Sequence, residues 1–181
     1  MTEKSYTLDK VAIRMVKEPP LYSSTPVRSP DDAVRLVSEM LKGYDREVFC
    51  LVNLRNDMSP INMNIVSVGT LNASIAHPRD ILKSPVLSNA ASVMIFHNHP
   101  SGNLIPSRED IMTTDKMIKA YRLMDIQVLD HIIIGPDRQF YSMRAHDVFD
   151  LPCSEYCNVL DDLQFDDLKP KHPDRHFIQC V

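Results

Sequence analysis

No run of about 18 consecutive apolar residues occurs in the 181-residue chain, so it contains no hydrophobic membrane-spanning helix. The N-terminus is polar, without the apolar region of a signal peptide, and a cytoplasmic protein is expected. Lysine and arginine form no cluster and the net charge is -4, so no basic patch is available to hold nucleic acid. Cysteine is limited to Cys50, Cys153, Cys157 and Cys180, which do not make the framework of a secreted disulfide scaffold. Cys50 lies within Val48-Phe-Cys-Leu-Val52 and reads as a small buried hydrophobe. Glycine is scarce. Gly43, Gly69, Gly102 and Gly135 each fall at a boundary between apolar segments, where turns and caps are expected.

What is present is enough for one domain with tails: the hydrophobic fraction is 44%. Residues 1–27 read as an N-terminal edge strand and linker, 28–146 as the folded domain, and 147–181 as an acidic C-terminal tail. Ser29-Pro30-Asp31-Asp32 supplies an N-cap, a proline at the first helical position and acids in the first turn. Val34, Val37, Met40 and Leu41 give that helix one apolar face, and Gly43 is expected to end it. Strands are expected over 47–54, 61–68, 92–96, 126–134 and 140–143, a short helix over 78–87, and a longer helix over 107–124. Mixed strands and helices predict an α/β (α+β) three-layer arrangement.

Residues 97–110, His-Asn-His-Pro-Ser-Gly-Asn-Leu-Ile-Pro-Ser-Arg-Glu-Asp, carry the chemistry. His97 and His99 are two apart, so in extended backbone they project from one face. They end the apolar stretch Ser92-Val-Met-Ile-Phe96, which reads as a buried strand. Asp110 opens the next helix. Two imidazoles and one carboxylate, with a fourth position left for water, form the donor set of a catalytic Zn2+ site. Ser107 and Asp110 also match a capping box, which alone would account for both residues without a metal.

The spacing His-x-His-x7-Ser-x-x-Asp resembles the JAMM (MPN+) metalloprotease motif. The stretch from Arg46 to Met143 is similar, more closely, to the RadC family. Its landmarks are Gly69-Thr-Leu-Asn-Ala-Ser-Ile-Ala-His-Pro-Arg-Asp80, His97-Asn-His-Pro-Ser-Gly102, Pro106-Ser-Arg-Glu-Asp110 and Leu129-Asp-His-Ile-Ile-Ile-Gly135. The resemblance implies a JAB/MPN-like (cytidine-deaminase-like) fold, a mixed sheet with flanking helices. It implies a zinc-dependent hydrolase of amide, peptide or isopeptide bonds. It implies that Glu47, in Arg46-Glu-Val-Phe49, is the base, and that Ser107 supports the tetrahedral intermediate. The plain alternative for Glu47 is a solvated charge flanking a strand.

RadC-type members are named for DNA repair, and the alternative function is a non-catalytic binding module in DNA transactions. Fuller RadC-type chains carry a helix-hairpin-helix segment ahead of this domain. Here 28 residues precede Ser29 without such a pattern, which argues against direct nucleic-acid binding. A peptide or protein substrate is the expected partner. Among lesser candidates, Asn98 is expected to face away from the ligands, toward the loop or a substrate. Asp130 and His131 match the family's Asp-His and read as structural residues behind the ligands. Arg79 suits an anion or an ion pair. Cys153, Cys157, His172 and His176 fall near the spacing of a second zinc site, but Pro173 and the surrounding acids argue for a docked or disordered tail instead. A barrel amidohydrolase needs about 250 residues, more than this chain has.

Overall fold

The computed structural model describes residues 12, 15–18, 26–69 and 76–150. The described order is α1 (Pro30–Leu41), β1 (Val48–Leu54), β2 (Pro60–Val68), α2 (Pro78–Ile81), α3 (Lys83–Ser88), β3 (Ser92–Asn98), α4 (Arg108–Arg122), β4 (Gln127–Ile134) and β5 (Phe140–Ser142). One five-stranded mixed sheet has the order β2-β1-β3-β4-β5. Only β3 and β4, joined through α4, are parallel; the other pairs are antiparallel. Most of the edge strand expected over 1–18 lies outside the described residues, and residues 12 and 15–18 carry no strand.

The sheet is covered on both faces. Val34, Val37 and Leu41 of α1 pack with Val48, Cys50, Val52, Phe96 and Ile132 on one side. Met117 and Tyr121 of α4 pack with Phe49, Leu51, Ile81, Val93 and Ile95 on the other. β1 and β3 are therefore buried along their whole length, which is why both read as unbroken apolar runs. Ser29 caps α1 by accepting from Asp32 N, with Pro30 in the first turn. Its C-terminus differs from expectation. The helix closes on Lys42 in right-handed conformation, and Gly43 does not adopt a positive φ.

The expected 78–87 helix is two pieces, and Pro85 is the cause. It has no N–H to give the Ile81 carbonyl, four residues back, and that carbonyl accepts from Tyr121 Oη instead, at 2.8 Å. The break thus ties α2 to α4.

A bulge in β4 sets the site. Val93 pairs with Val128 and Met94 with Asp130, leaving Leu129 extra. The Asp130 carboxylate accepts from Ser142 Oγ, His131 N and Arg144 N at 2.5, 2.7 and 3.0 Å. Arg144 in turn donates to the carbonyls of Leu129 and Val128. Burial pushes the Asp130 carboxyl up to about 6 even against these donors. Asp130 therefore braces the bulge and holds the backbone of His131, whose ring points to the α4 side.

Candidate metal centre

β3 delivers His97 at its end and His99 just beyond, while α4 delivers Asp110 in its first turn. The three side chains converge, with ligand atoms all within 4.8 Å of one another. His97 Nε2 is 2.9 Å from His99 Nε2 and 3.4 Å from Asp110 Oδ1. His99 Nε2 is 3.8 Å from Asp110 Oδ2. Bonds of about 2.0–2.1 Å at a tetrahedral zinc put neighbouring donors roughly 3.3 Å apart, and the observed spacings bracket that value.

The hydrogen bonds behind the ring fix its tautomer. Thr114 Oγ1 donates its one proton to the Asp110 carbonyl, 2.6 Å away and four residues back in α4. Toward His131 Nδ1, also at 2.6 Å, Thr114 can then only accept. A proton on His131 Nδ1 leaves Nε2 as an acceptor, and it takes the proton of His97 Nδ1 at 2.7 Å. His97 Nε2 is therefore a bare lone pair. His99 reaches the same state by another route, because its Nδ1 donates to the carbonyl of Asn103 at 2.5 Å. Two lone pairs then face each other across 2.9 Å beside a carboxylate. That arrangement calls for a cation between them, so the donor set fits a metal ion.

Burial favours the neutral form of His97 and of His131 behind it. It pushes His97 down to about 4, against the attraction of Asp110 and with the repulsion of His99. It holds His131 well below the usual histidine range. Phe49 stacks on His97, with ring centroids 6.2 Å apart, and meets His131 edge-on at 5.5 Å. The rings are thereby held in place from the β1 side.

Ser107 and Asp110 form the capping box in full. Ser107 Oγ accepts from Asp110 N at 3.1 Å, and Asp110 Oδ2 accepts from Ser107 N at 2.8 Å. Oδ2 also accepts the Ser107 hydroxyl at 2.6 Å. The cap does not consume the carboxylate, because Oδ1 is the oxygen turned to His97. The capping alternative is met in full, and Asp110 also stands in the cluster that could hold a metal ion.

Glu47 lies outside the His97–His99–Asp110 cluster. It precedes β1, half-buried, and its carbonyl accepts from Gly69 N at 2.7 Å. Phe49 pairs with His97 at the end of the β1–β3 ladder, and Glu47 lies two residues beyond that end, on the Phe49 face by strand alternation. Asn98 contacts neither the loop nor open solvent: it is buried against the backbone of Arg46 and Val48. Arg79 is exposed, and His77 Nδ1 accepts its N–H at the start of α2. Cys50 is buried and free, its thiol pushed up to about 12 by burial. The tail residues Cys153, Cys157, His172 and His176 lie outside the described residues. Sequence reasoning missed Thr114 and Phe49. The signal for Thr114 was its place four residues after Asp110, on the same helix face.

The architecture and the His-His-Asp cluster define a JAB-type domain. Residues 27–148 match the family described as "RadC-like JAB domain", and the chain belongs to the RadC family. A UPF0758 protein from Moorella thermoacetica is 41% identical over 126 residues, covering 70% of this chain and 55% of its own length. Another from Desulforamulus reducens is 44% identical over 119 residues, 66% of this chain and 52% of its own. The chain spans about half the length of these relatives.

Proposed function

We propose that the chain is a zinc-dependent hydrolase of JAMM type, cleaving an amide, peptide or isopeptide bond. The observation that carries this reading is two imidazole nitrogens 2.9 Å apart with the Asp110 carboxylate beside them, Oδ1 3.4 Å from His97 and Oδ2 3.8 Å from His99. His97, His99 and Asp110 would hold the ion. Two nitrogens and one oxygen in a four-coordinate frame suit zinc over the harder, six-coordinate magnesium or calcium. Zinc bound there would supply Lewis acidity and lower the pKa of a water at the open position.

The chain's own groups do the rest. Glu47, two residues before Phe49, takes the proton of the attacking water and delivers it to the leaving amine. Ser107 Oγ, bonded to Asp110 at the rim, turns its proton to the developing oxyanion. The expected substrate is a peptide or protein, and the compartment the cytoplasm. Among the described residues no helix is long and apolar enough to cross a membrane.

The test is the Glu47→Gln variant, with zinc content measured beside turnover on a panel of linear and isopeptide-linked peptides. One zinc per chain with turnover reduced at least 100-fold is expected, in line with general-base losses of about 10²–10⁴. Turnover unchanged in that variant removes Glu47 from the role. A zinc-loaded parent inert across the panel would favour the other reading, a metal-stabilised binding module in DNA transactions.

A further inference from the structure

We propose that Asn98, between the two histidine ligands, is the positioning residue for Glu47. As a contribution to turnover this rests on the hydrolase reading; as a statement about geometry it does not. Asn98 is 6% exposed, and a buried carboxamide needs partners for both of its ends. Its Oδ1 accepts from Val48 N at 2.7 Å, and its Nδ2 donates to the Arg46 carbonyl at 3.1 Å. An N–H can only donate and a carbonyl only accept, so the carboxamide fits one way round.

These two contacts bracket Glu47. The Arg46 carbonyl belongs to the peptide unit before it, and the Val48 N–H to the unit after it. The second unit is held from the other side as well, where Gly69 N donates to the Glu47 carbonyl at 2.7 Å. With both flanking peptide planes pinned, the backbone dihedrals of Glu47 are set, and so is the direction of the Cα–Cβ bond from which its side chain starts.

The clamp stands where the sheet opens. The β1–β3 ladder stops at Phe49–His97. Beyond it the backbone of His99 bonds toward β4, donating to the Ile134 carbonyl at 2.9 Å, while Glu47 bonds toward β2. Continued backbone pairing would draw the two strands together at Glu47 and His99. Asn98 spans the divergence with a side chain in place of a strand. Both its polar ends are engaged with backbone, so it acts through Glu47 and does not touch substrate.

The experiment loads cobalt(II), whose visible spectrum reports the environment of its open coordination position, into four chains. These are the parent, Asn98→Ala, Glu47→Gln and the double variant. The expected result is one cobalt per chain in all four, with Asn98→Ala moved from the parent to the Glu47→Gln spectrum and the double variant moved no further. Asn98→Ala matching the parent, or a double variant displaced beyond either single one, overturns the proposal. If Asn98→Ala does not fold, Asn98→Asp replaces it, keeping the acceptor for Val48 and setting a carboxylate against the Arg46 carbonyl. If no chain takes up cobalt, the metal reading fails on its own. Crystal structures of the parent and the variant then decide: displacement of Glu47 by about 1 Å, enough to cost roughly 100-fold in a reacting geometry, upholds the clamp, and superposition overturns it.

Discussion

Thr114 has one hydroxyl proton, and its two nearest polar neighbours at 2.6 Å are the Asp110 carbonyl, which can only accept it, and His131 Nδ1. Giving the proton to the Asp110 carbonyl obliges it to accept from His131, and the lone pair on His97 Nε2 follows two bonds later. The Thr114→Val variant keeps the shape and removes the hydroxyl. It leaves the buried His131 Nδ1–H without an acceptor, at about 1–3 kcal/mol of stability. It also frees the tautomer of His97, so zinc affinity falls about 10–100-fold, as losses of ligand-orienting partners do. Thr114→Ser restores both. Competitive zinc titration and urea midpoints check this, and a Thr114→Val chain that binds zinc like the parent would show that the tautomer is set elsewhere. His97 and His99 were legible in the sequence because two-residue spacing at a strand end is a local pattern. The Thr114–His131–His97 chain was not, because it joins three elements and depends on which oxygen has a proton left to give.

At the scale of elements, the first turn of α4 combines a cap with a candidate metal ligand. Sequence spacing showed both possibilities for Ser107 and Asp110 but could not show that one carboxylate divides its oxygens between them. Substitutions at Ser107 separate the two roles. Ser107→Ala removes the cap and costs about 1 kcal/mol, whereas Ser107→Gly costs only a few tenths. Both remove the hydroxyl. Stability measured by urea denaturation is expected to rank parent, glycine and alanine variants in that order, while turnover falls equally in the last two. Turnover that tracks stability instead would confine Ser107 to capping. Element types were legible wherever burial on two faces or one gives a plain pattern, as in β1, β3 and α4. The β4 bulge was not, because it depends on a partner distant in sequence, whereas the split at Leu82 follows from Pro85, which stands in the sequence. Arg144 meets the carbonyls freed by the bulge, and Tyr121 meets the one that Pro85 leaves open.

On the scale of the whole molecule, the candidate ligands sit on two layers. His97 and His99 belong to the sheet, Asp110 to the helix lying over it, and a metal ion would join the layers at the end where the sheet opens between β1 and β3. The fold holds two imidazoles and a carboxylate together, which the unfolded chain does not, so metal binding favours the folded state. Linkage gives the size: free zinc at 100 times its dissociation constant adds about 2.7 kcal/mol, roughly 5–10 °C in Tm for a chain of this length. Thermal melts across buffered zinc concentrations are expected to climb by that amount in the parent and to stay flat in His99→Ala. In Glu47→Gln the climb is expected to match the parent's, because Glu47 is proposed as the base and not as a ligand. A flat parent would leave the cluster as a neutral polar network that supports α4 alone, and a climb lost in Glu47→Gln would make Glu47 a ligand and transfer the base to another group.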